Sequence, residues 1–288
     1  MSDKCELCPV NCGADRNVKA GYCGEKNAMR IAKYYLHKYE EPVICGGKGS
    51  GTVFFCGCSL KCVFCQNYVL SRSQTGKEIT PRELADIFKQ LEDTGACNVN
   101  LVTPTHFTAE IIKAFEIYKP KVPVVYNTHS YEKIETLKLI DPYIDVYLPD
   151  LKFFAPERAK RYTGKSDYFE VASRAIEFMM NSKKTVFDEN GQMTSGVIVR
   201  HLILPLGVSD SENIVEWFAK NKKNGAYLSL MAQYTPFGNV DNFPELKRKI
   251  TAREYERVYE KMLSLGISEY FIQEEESASE SFIPSWDF

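Results

Sequence analysis

Thr52-Val53-Phe54-Phe55-Cys56-Gly57-Cys58-Ser59-Leu60-Lys61-Cys62-Val63-Phe64-Cys65 joins a run of β-branched and aromatic residues to a loop carrying three spaced cysteines. Thr52 to Phe55 has the composition of a buried strand. The loop after it spaces Cys58, Cys62 and Cys65 as Cys-x3-Cys-x2-Cys. Three thiolates on so short a loop can ligate three irons of a cubane cluster, leaving the fourth iron open to a substrate or cofactor. A structural zinc ion would fill all four positions. The alternative is three cysteines of a zinc site whose fourth ligand lies elsewhere in the chain.

Downstream, apolar β-branched runs alternate with helical patterns. Pro81 opens a helix after Thr80, with Leu84, Ile87, Phe88 and Leu91 on one face. Strands are expected at Val99–Thr103, Val122–Tyr126, Ile144–Leu148, Val197–Leu204 and Ala226–Leu230, with one more short strand at Tyr270–Gln273. Helices are expected through Ile111 to Ile117, Ile134 to Leu139, Ala172 to Met179, Ser209 to Ala219 and Thr251 to Leu265. Strand-helix alternation implies a parallel sheet with right-handed crossovers and chemistry at the C-terminal strand ends. The expected fold is α/β, a partial (β/α)6 barrel of the TIM type over residues 49–288, behind a cysteine-rich N-terminal extension over residues 1–48.

The chain has 288 residues, enough for a full core, with 36 basic against 38 acidic side chains. That balance lacks the basic field of a nonspecific nucleic-acid binder, so no nucleic acid is expected as partner. No apolar run approaches a membrane span, and Met1-Ser2-Asp3-Lys4-Cys5 has no apolar signal core, so the expectation is a cytoplasmic protein without membrane contact. Ten cysteines in a reducing compartment point to metal or cluster binding rather than disulfides, and nine of them precede residue 66. Cys5, Cys8, Cys12 and Cys23 are spaced Cys-x2-Cys-x3-Cys-x10-Cys, which suits an auxiliary iron-sulfur cluster or a structural zinc equally. Cys45, Cys56 and Cys97 have no partner spacing and read as packing residues, with Cys56 close enough to the loop to stay a candidate.

With Phe64 directly before its third cysteine, the loop resembles the signature of radical S-adenosylmethionine (SAM) enzymes. The chain is similar, over nearly its whole length, to the activating enzymes of pyruvate formate-lyase and to their homologues labelled PflX-like. The likeness is carried by Gly49-Ser50-Gly51-Thr52-Val53-Phe54-Phe55, Gln66-Asn67-Tyr68, Leu101-Val102-Thr103-Pro104-Thr105-His106, Pro149-Asp150-Leu151-Lys152, Val199-Arg200-His201-Leu202 and Gln233-Tyr234-Thr235-Pro236.

The resemblance implies that Cys58, Cys62 and Cys65 hold a [4Fe-4S] cluster, that SAM chelates its open iron, and that one electron cleaves SAM to a hydrogen-abstracting 5′-deoxyadenosyl radical. It implies adenine near Phe64. Asp150 and Lys152 would hold the amino and carboxylate ends of SAM, with Arg200 pairing to the carboxylate. An electron donor such as flavodoxin or ferredoxin is implied as partner, and a protein or peptide as substrate.

Two positions depart from the activases. Their Gly-Gly-Glu motif is here Thr103-Pro104-Thr105-His106, so Thr103 and Thr105 would have to receive the SAM ammonium. Asn127 stands where activases have an acidic residue, and Asn127, Thr128 and His129 are expected at the same mouth. His106 reads either as a proton donor or ligand, or as a helix-terminal packing residue. The alternatives to a protein-directed activase are a radical SAM enzyme acting on a small molecule and a noncatalytic iron-sulfur or zinc protein that moves electrons or binds partners. The acidic run Glu274-Glu275-Glu276 reads as a solvated turn, and the tail Phe282-Ile283-Pro284-Ser285-Trp286-Asp287-Phe288 as packing across the barrel.

Overall fold

The computed structural model describes residues 4–72 and 75–272. Among them ten strands follow in order: β1 Met29–His37, β2 Ser50–Phe55, β3 Lys77–Ile79, β4 Val99–Val102, β5 Val124–Thr128, β6 Val146–Pro149, β7 Val186–Phe187, β8 Met193–Leu202, β9 Tyr227–Met231 and β10 Tyr270–Ile272. The helices are α1 Pro42–Cys45, α2 Tyr68–Arg72, α3 Pro81–Asp93, α4 Thr108–Ile117, α5 Ile134–Ile140, α6 Pro156–Thr163, α7 Tyr168–Ser182, α8 Val208–Asn221 and α9 Ala252–Ser264.

The sheet order is β10-β9-β8-β6-β5-β4-β2-β1-β3, with β7 hairpinned onto β8. From β2 to β10 every neighbour along this path is parallel. The result is the expected open α/β barrel, with β10 as its last parallel strand. Strands buried on both faces explain the near-continuous apolar runs: all six residues of β2 and all five of β5 are buried.

Helix starts follow local chemistry. Thr80 accepts from the Glu83 backbone N–H while the Glu83 side chain returns to the Thr80 N–H, with Pro81 in the first turn. Thr251 and Glu254 repeat this box at α9. Leu84, Phe88 and Leu91 of α3 then join Ile111 and Phe115 of α4 in the core between sheet and helices.

A second, smaller core fills the barrel itself, where Val125, Val146, Leu148 and Ile198 surround Ile44 of α1. Sealing Ile44 there stabilises by about 1.5–3 kcal/mol. Glu41, just before α1, is buried and accepts from Ser229 Oγ at 2.6 Å on β9. The link after β1 therefore runs into the barrel.

Here the structure corrects three expectations. Residues 1–48 read as a cysteine-rich extension with no expected strand, yet Met29–His37, including Tyr34 and Tyr35, pairs antiparallel with β2 and bonds β3 on its other side. A register shift between Ile31 and Lys33 breaks the two-residue alternation that would have revealed the strand. Helix α6 was also missed, because few of its residues are buried. The third parallel strand lies further on than expected, at Val124–Thr128, which takes Asn127 and Thr128 into the strand. Gln273, the acidic run at Glu274 and the tail from Phe282 lie outside the described residues.

Glu132 ties the ends of β4 and β5 together. Its Oε1 accepts from Thr105 Oγ1 at 2.6 Å and from the Thr128 hydroxyl, while its buried Oε2 has no partner. Burial pushes its carboxyl up to about 7, against the pull of the two threonines. Between pH 4.5 and 7 the folded state therefore keeps a proton that the unfolded chain releases, and stability falls as pH rises through that window. Buried His106 and His129, held near 3 and 4 by desolvation, act in the opposite sense as pH falls below 6.5. The contribution of Glu132 must accordingly be read as a difference: Glu132→Gln should lose a pH-dependent term of at most about 3 kcal/mol between pH 4.5 and 7. Parallel urea curves for the two proteins at every pH would refute this.

Candidate functional site

The loop after β2 is pinned from several sides. Gly57 has φ +79°, and a Cβ there would sit 2.8 Å from the Cys23 carbonyl oxygen and 2.6 Å from Glu25 Cγ, so only glycine fits. The Val63 N–H donates to the Tyr162 carbonyl at 2.9 Å, and the Val63 carbonyl accepts from the Asn239 N–H at 2.8 Å. Gly238 crosses so near that a Cβ would come within 2.6 Å of that same carbonyl. These contacts hold Cys58, Cys62 and Cys65 along one wall of a cavity of about 220 Å³.

Burial pushes the Cys58 thiol up to about 11 and raises Cys62 and Cys65 as well, while the Lys152 ammonium opposes the rise at all three. A bare thiolate is disfavoured there, so three thiolates need cations at the sulfurs themselves. Iron would supply them, and the chemistry of the donor set fits an iron-sulfur cubane. Among the described residues no three His, Cys, Asp or Glu side chains close around a single-ion point.

A chain of alternating charges lines the same cavity. Lys152 Nζ donates to Asp150 Oδ2 at 2.6 Å, and Arg200 Nε donates to Asp150 Oδ1 at 2.9 Å. Arg200 also donates to Asn127 Oδ1 at 2.7 Å and lies 3.5 Å from Glu40 Oε2. All of these groups are mostly buried. Burial raises the Asp150 carboxyl, but Arg200 and Lys152 outweigh it and hold the group below the usual carboxylate range. The hydroxyl of Tyr168 bridges the carbonyls of Asp150 and His129, fixing the two strand ends together.

The cavity brings together nine of the barrel residues that the sequence singled out: Cys58, Cys62, Phe64, Cys65, Thr103, Asn127, Asp150, Lys152 and Arg200. Phe64 meets Phe153, Tyr162 and Tyr234 edge-on, a packed aromatic cage behind the third cysteine. Thr128 and His129 line it too. The Tyr131 N–H donates to His129 Nδ1 at 3.1 Å, so the neutral ring carries its proton on Nε2, facing Ser59 Oγ at 3.1 Å.

Two candidates fall elsewhere. Thr105 turns to Glu132, which leaves Thr103 as the threonine of that segment at the cavity. His106 faces the Cys56 carbonyl at 2.6 Å, buried and neutral, and takes the packing role. Cys5, Cys8, Cys12 and Cys23 lie outside the cavity.

Glu40 was missed. Its Oε1 accepts from Asn100 Nδ2 at 3.0 Å and Asn127 Nδ2 at 3.4 Å, which makes it the polar floor of the cavity. In the sequence it stands in Glu40-Glu41-Pro42, a stretch indistinguishable from a linker.

Fold and site define an open α/β barrel with a three-cysteine loop at the C-terminal end of its first parallel strand. The model of the radical SAM superfamily matches residues 52–189. An uncharacterized protein of Methanocaldococcus jannaschii is 32% identical over 266 residues, covering 89% of this chain and 73% of that protein. The pyruvate formate-lyase-activating enzyme of Clostridium pasteurianum is 27% identical over 215 residues, covering 69% of this chain and 82% of the enzyme. The chain belongs to the radical SAM superfamily, whose members use a [4Fe-4S] cluster and SAM.

Among solved structures, SuiB of Streptococcus suis bound to the precursor peptide SuiA superposes with a TM-score of 0.52 at 13% identity, over 75% of this chain. The chain spans 46% of that structure, and the likeness is one of fold. A radical SAM methyltransferase from Sphaerobacter thermophilus gives 0.51 at 12% identity, covering 78% of this chain and 66% of the other. Among the described residues no helix is long and apolar enough to cross a membrane.

Proposed function

We propose that the chain is an enzyme that reductively cleaves SAM at a [4Fe-4S] cluster on Cys58, Cys62 and Cys65 and directs the resulting 5′-deoxyadenosyl radical at a hydrogen atom of a protein or peptide. One observation carries this reading: three buried thiols share a cavity with the charge chain Lys152, Asp150, Arg200. The cluster, when bound, supplies the electron and the open iron.

The rest falls to the chain. Asp150 receives the ammonium of SAM, while Lys152 and Arg200 face its carboxylate, so opposite charges meet a zwitterion out of water. Asn127 and Glu40 hold the guanidinium of Arg200 in place. Thr103 offers its hydroxyl and backbone carbonyl to the ammonium, in the segment where activases carry Gly-Gly-Glu. Phe64 and its aromatic neighbours take the adenine.

A protein substrate is supported by the likeness to the Clostridium pasteurianum activating enzyme and by the open barrel. A reducing cytoplasm and a flavodoxin or ferredoxin donor suit the same chemistry. The floor formed by Glu40 and Asn127 favours a second reading, a small polar molecule bound inside the barrel.

The test is anaerobic reconstitution followed by reduction with dithionite. Formation of 5′-deoxyadenosine from SAM is expected. A glycyl doublet in electron paramagnetic resonance after incubation with a glycyl-radical enzyme would select the activase. Full iron loading without any deoxyadenosine would leave the noncatalytic electron-transfer protein.

A further inference from the structure

We propose that Cys5, Cys8, Cys12 and Cys23 hold one soft metal centre, a zinc ion or an iron-sulfur cluster, and that this centre braces the Cys58–Cys65 loop. The second half of the proposal rests on the function proposed above, whereas the first does not.

Residues 4–28 contain no helix or strand, and their buried apolar side chains are Cys8, Ala14 and Cys23. So small a core does not offset the entropy of ordering the segment. Four thiols do share it. Cys12 and Cys23 bracket Gly21, where a Cβ would lie 3.4 Å from one sulfur and 3.7 Å from the other. No three of them yet close around a single-ion point. Uptake of one ion would draw them inward, and uptake of a cluster would leave them spread.

The knot is fastened directly to the catalytic loop. The Cys58 N–H donates to the Cys23 carbonyl at 3.1 Å, which makes one candidate ligand the neighbour of the other's backbone. Gly57, one residue earlier, admits no side chain because Cys23 and Glu25 fill that space. On the far side, buried Arg16 donates to the carbonyls of Glu25, Lys26 and His106. Its guanidinium also lies 5.5 Å from the Phe107 ring centroid. A metal that fixes Cys23 therefore fixes the amide of Cys58.

The triple variant Cys58→Ser/Cys62→Ser/Cys65→Ser separates the two halves. Purified anaerobically as the full chain, it should retain either one zinc, or about four irons with matching labile sulfide. Metal below about one tenth per chain would overturn the knot whether or not the wild type cleaves SAM. In the reverse variant, Cys5→Ser/Cys8→Ser, that metal should be lost and hydrogen exchange at the Cys58 amide should accelerate at least about tenfold, with α9 unaffected. Knot metal gone with exchange at Cys58 unchanged would overturn the brace. Should the double variant fail to fold, Cys12→Ser, which alters the exposed member of the four, reads the same two quantities.

Discussion

Cys62→Ala is expected to lower 5′-deoxyadenosine formation by roughly a thousandfold or more, about 4 kcal/mol of lost catalysis. Cys62 is the middle cysteine of the loop and is 7% exposed, so its loss would remove a sheltered ligand from the proposed cluster. Among the three thiols it is the one for which the rise from burial is opposed first by the Lys152 ammonium. Iron analysis and chromatography of the SAM products check this together, and retained secondary structure by circular dichroism excludes unfolding. Deoxyadenosine at the wild-type level would sink the assignment of the loop.

Asp150→Ala should be the most damaging change in the charge chain. Asp150 stands between Lys152 and Arg200, at 2.6 and 2.9 Å, with all three side chains 15–18% exposed. Deleting the carboxylate leaves two cations facing each other with little water. Breaking such a buried pair costs about 3–5 kcal/mol, which corresponds to a fall in melting temperature of roughly 6–20 °C. SAM affinity of the reconstituted protein should drop at least about a hundredfold, because the ammonium loses its acceptor. The double variant Asp150→Asn/Arg200→Gln should regain much of the stability and none of the affinity. If the two losses are simply additive, the charge chain is not a unit.

The sequence disclosed the barrel well where strands are buried on both faces, as at Val53, Leu101 and Val125, because continuous apolar runs need no register to be read. It disclosed the cavity wherever a residue stood at the end of such a strand: Thr103, Asn127, Asp150 and Arg200 all line it. Strand β1 escaped because its bulge interrupts alternation and tyrosines carry much of its surface. Glu40 escaped for a different reason. Its partners Asn100, Asn127 and Arg200 are 60 to 160 residues away, and nothing local to Glu40 marks a side chain that a later turn of the barrel will enclose. Thr105 was misread by the same logic, since Glu132, which takes its hydroxyl, has no motif of its own.

The antiparallel pair that β1 and β3 add beside β2 has a consequence for solubility. An open barrel has two raw sheet margins, and a long bare margin invites a strand from another molecule. β1 covers the margin of β2 and passes it to β3, a strand of three residues whose Lys77 and Glu78 point to water. At the opposite margin β10 is also three residues long among those described. The short, charged margin at β3 offers a poor template for intermolecular pairing.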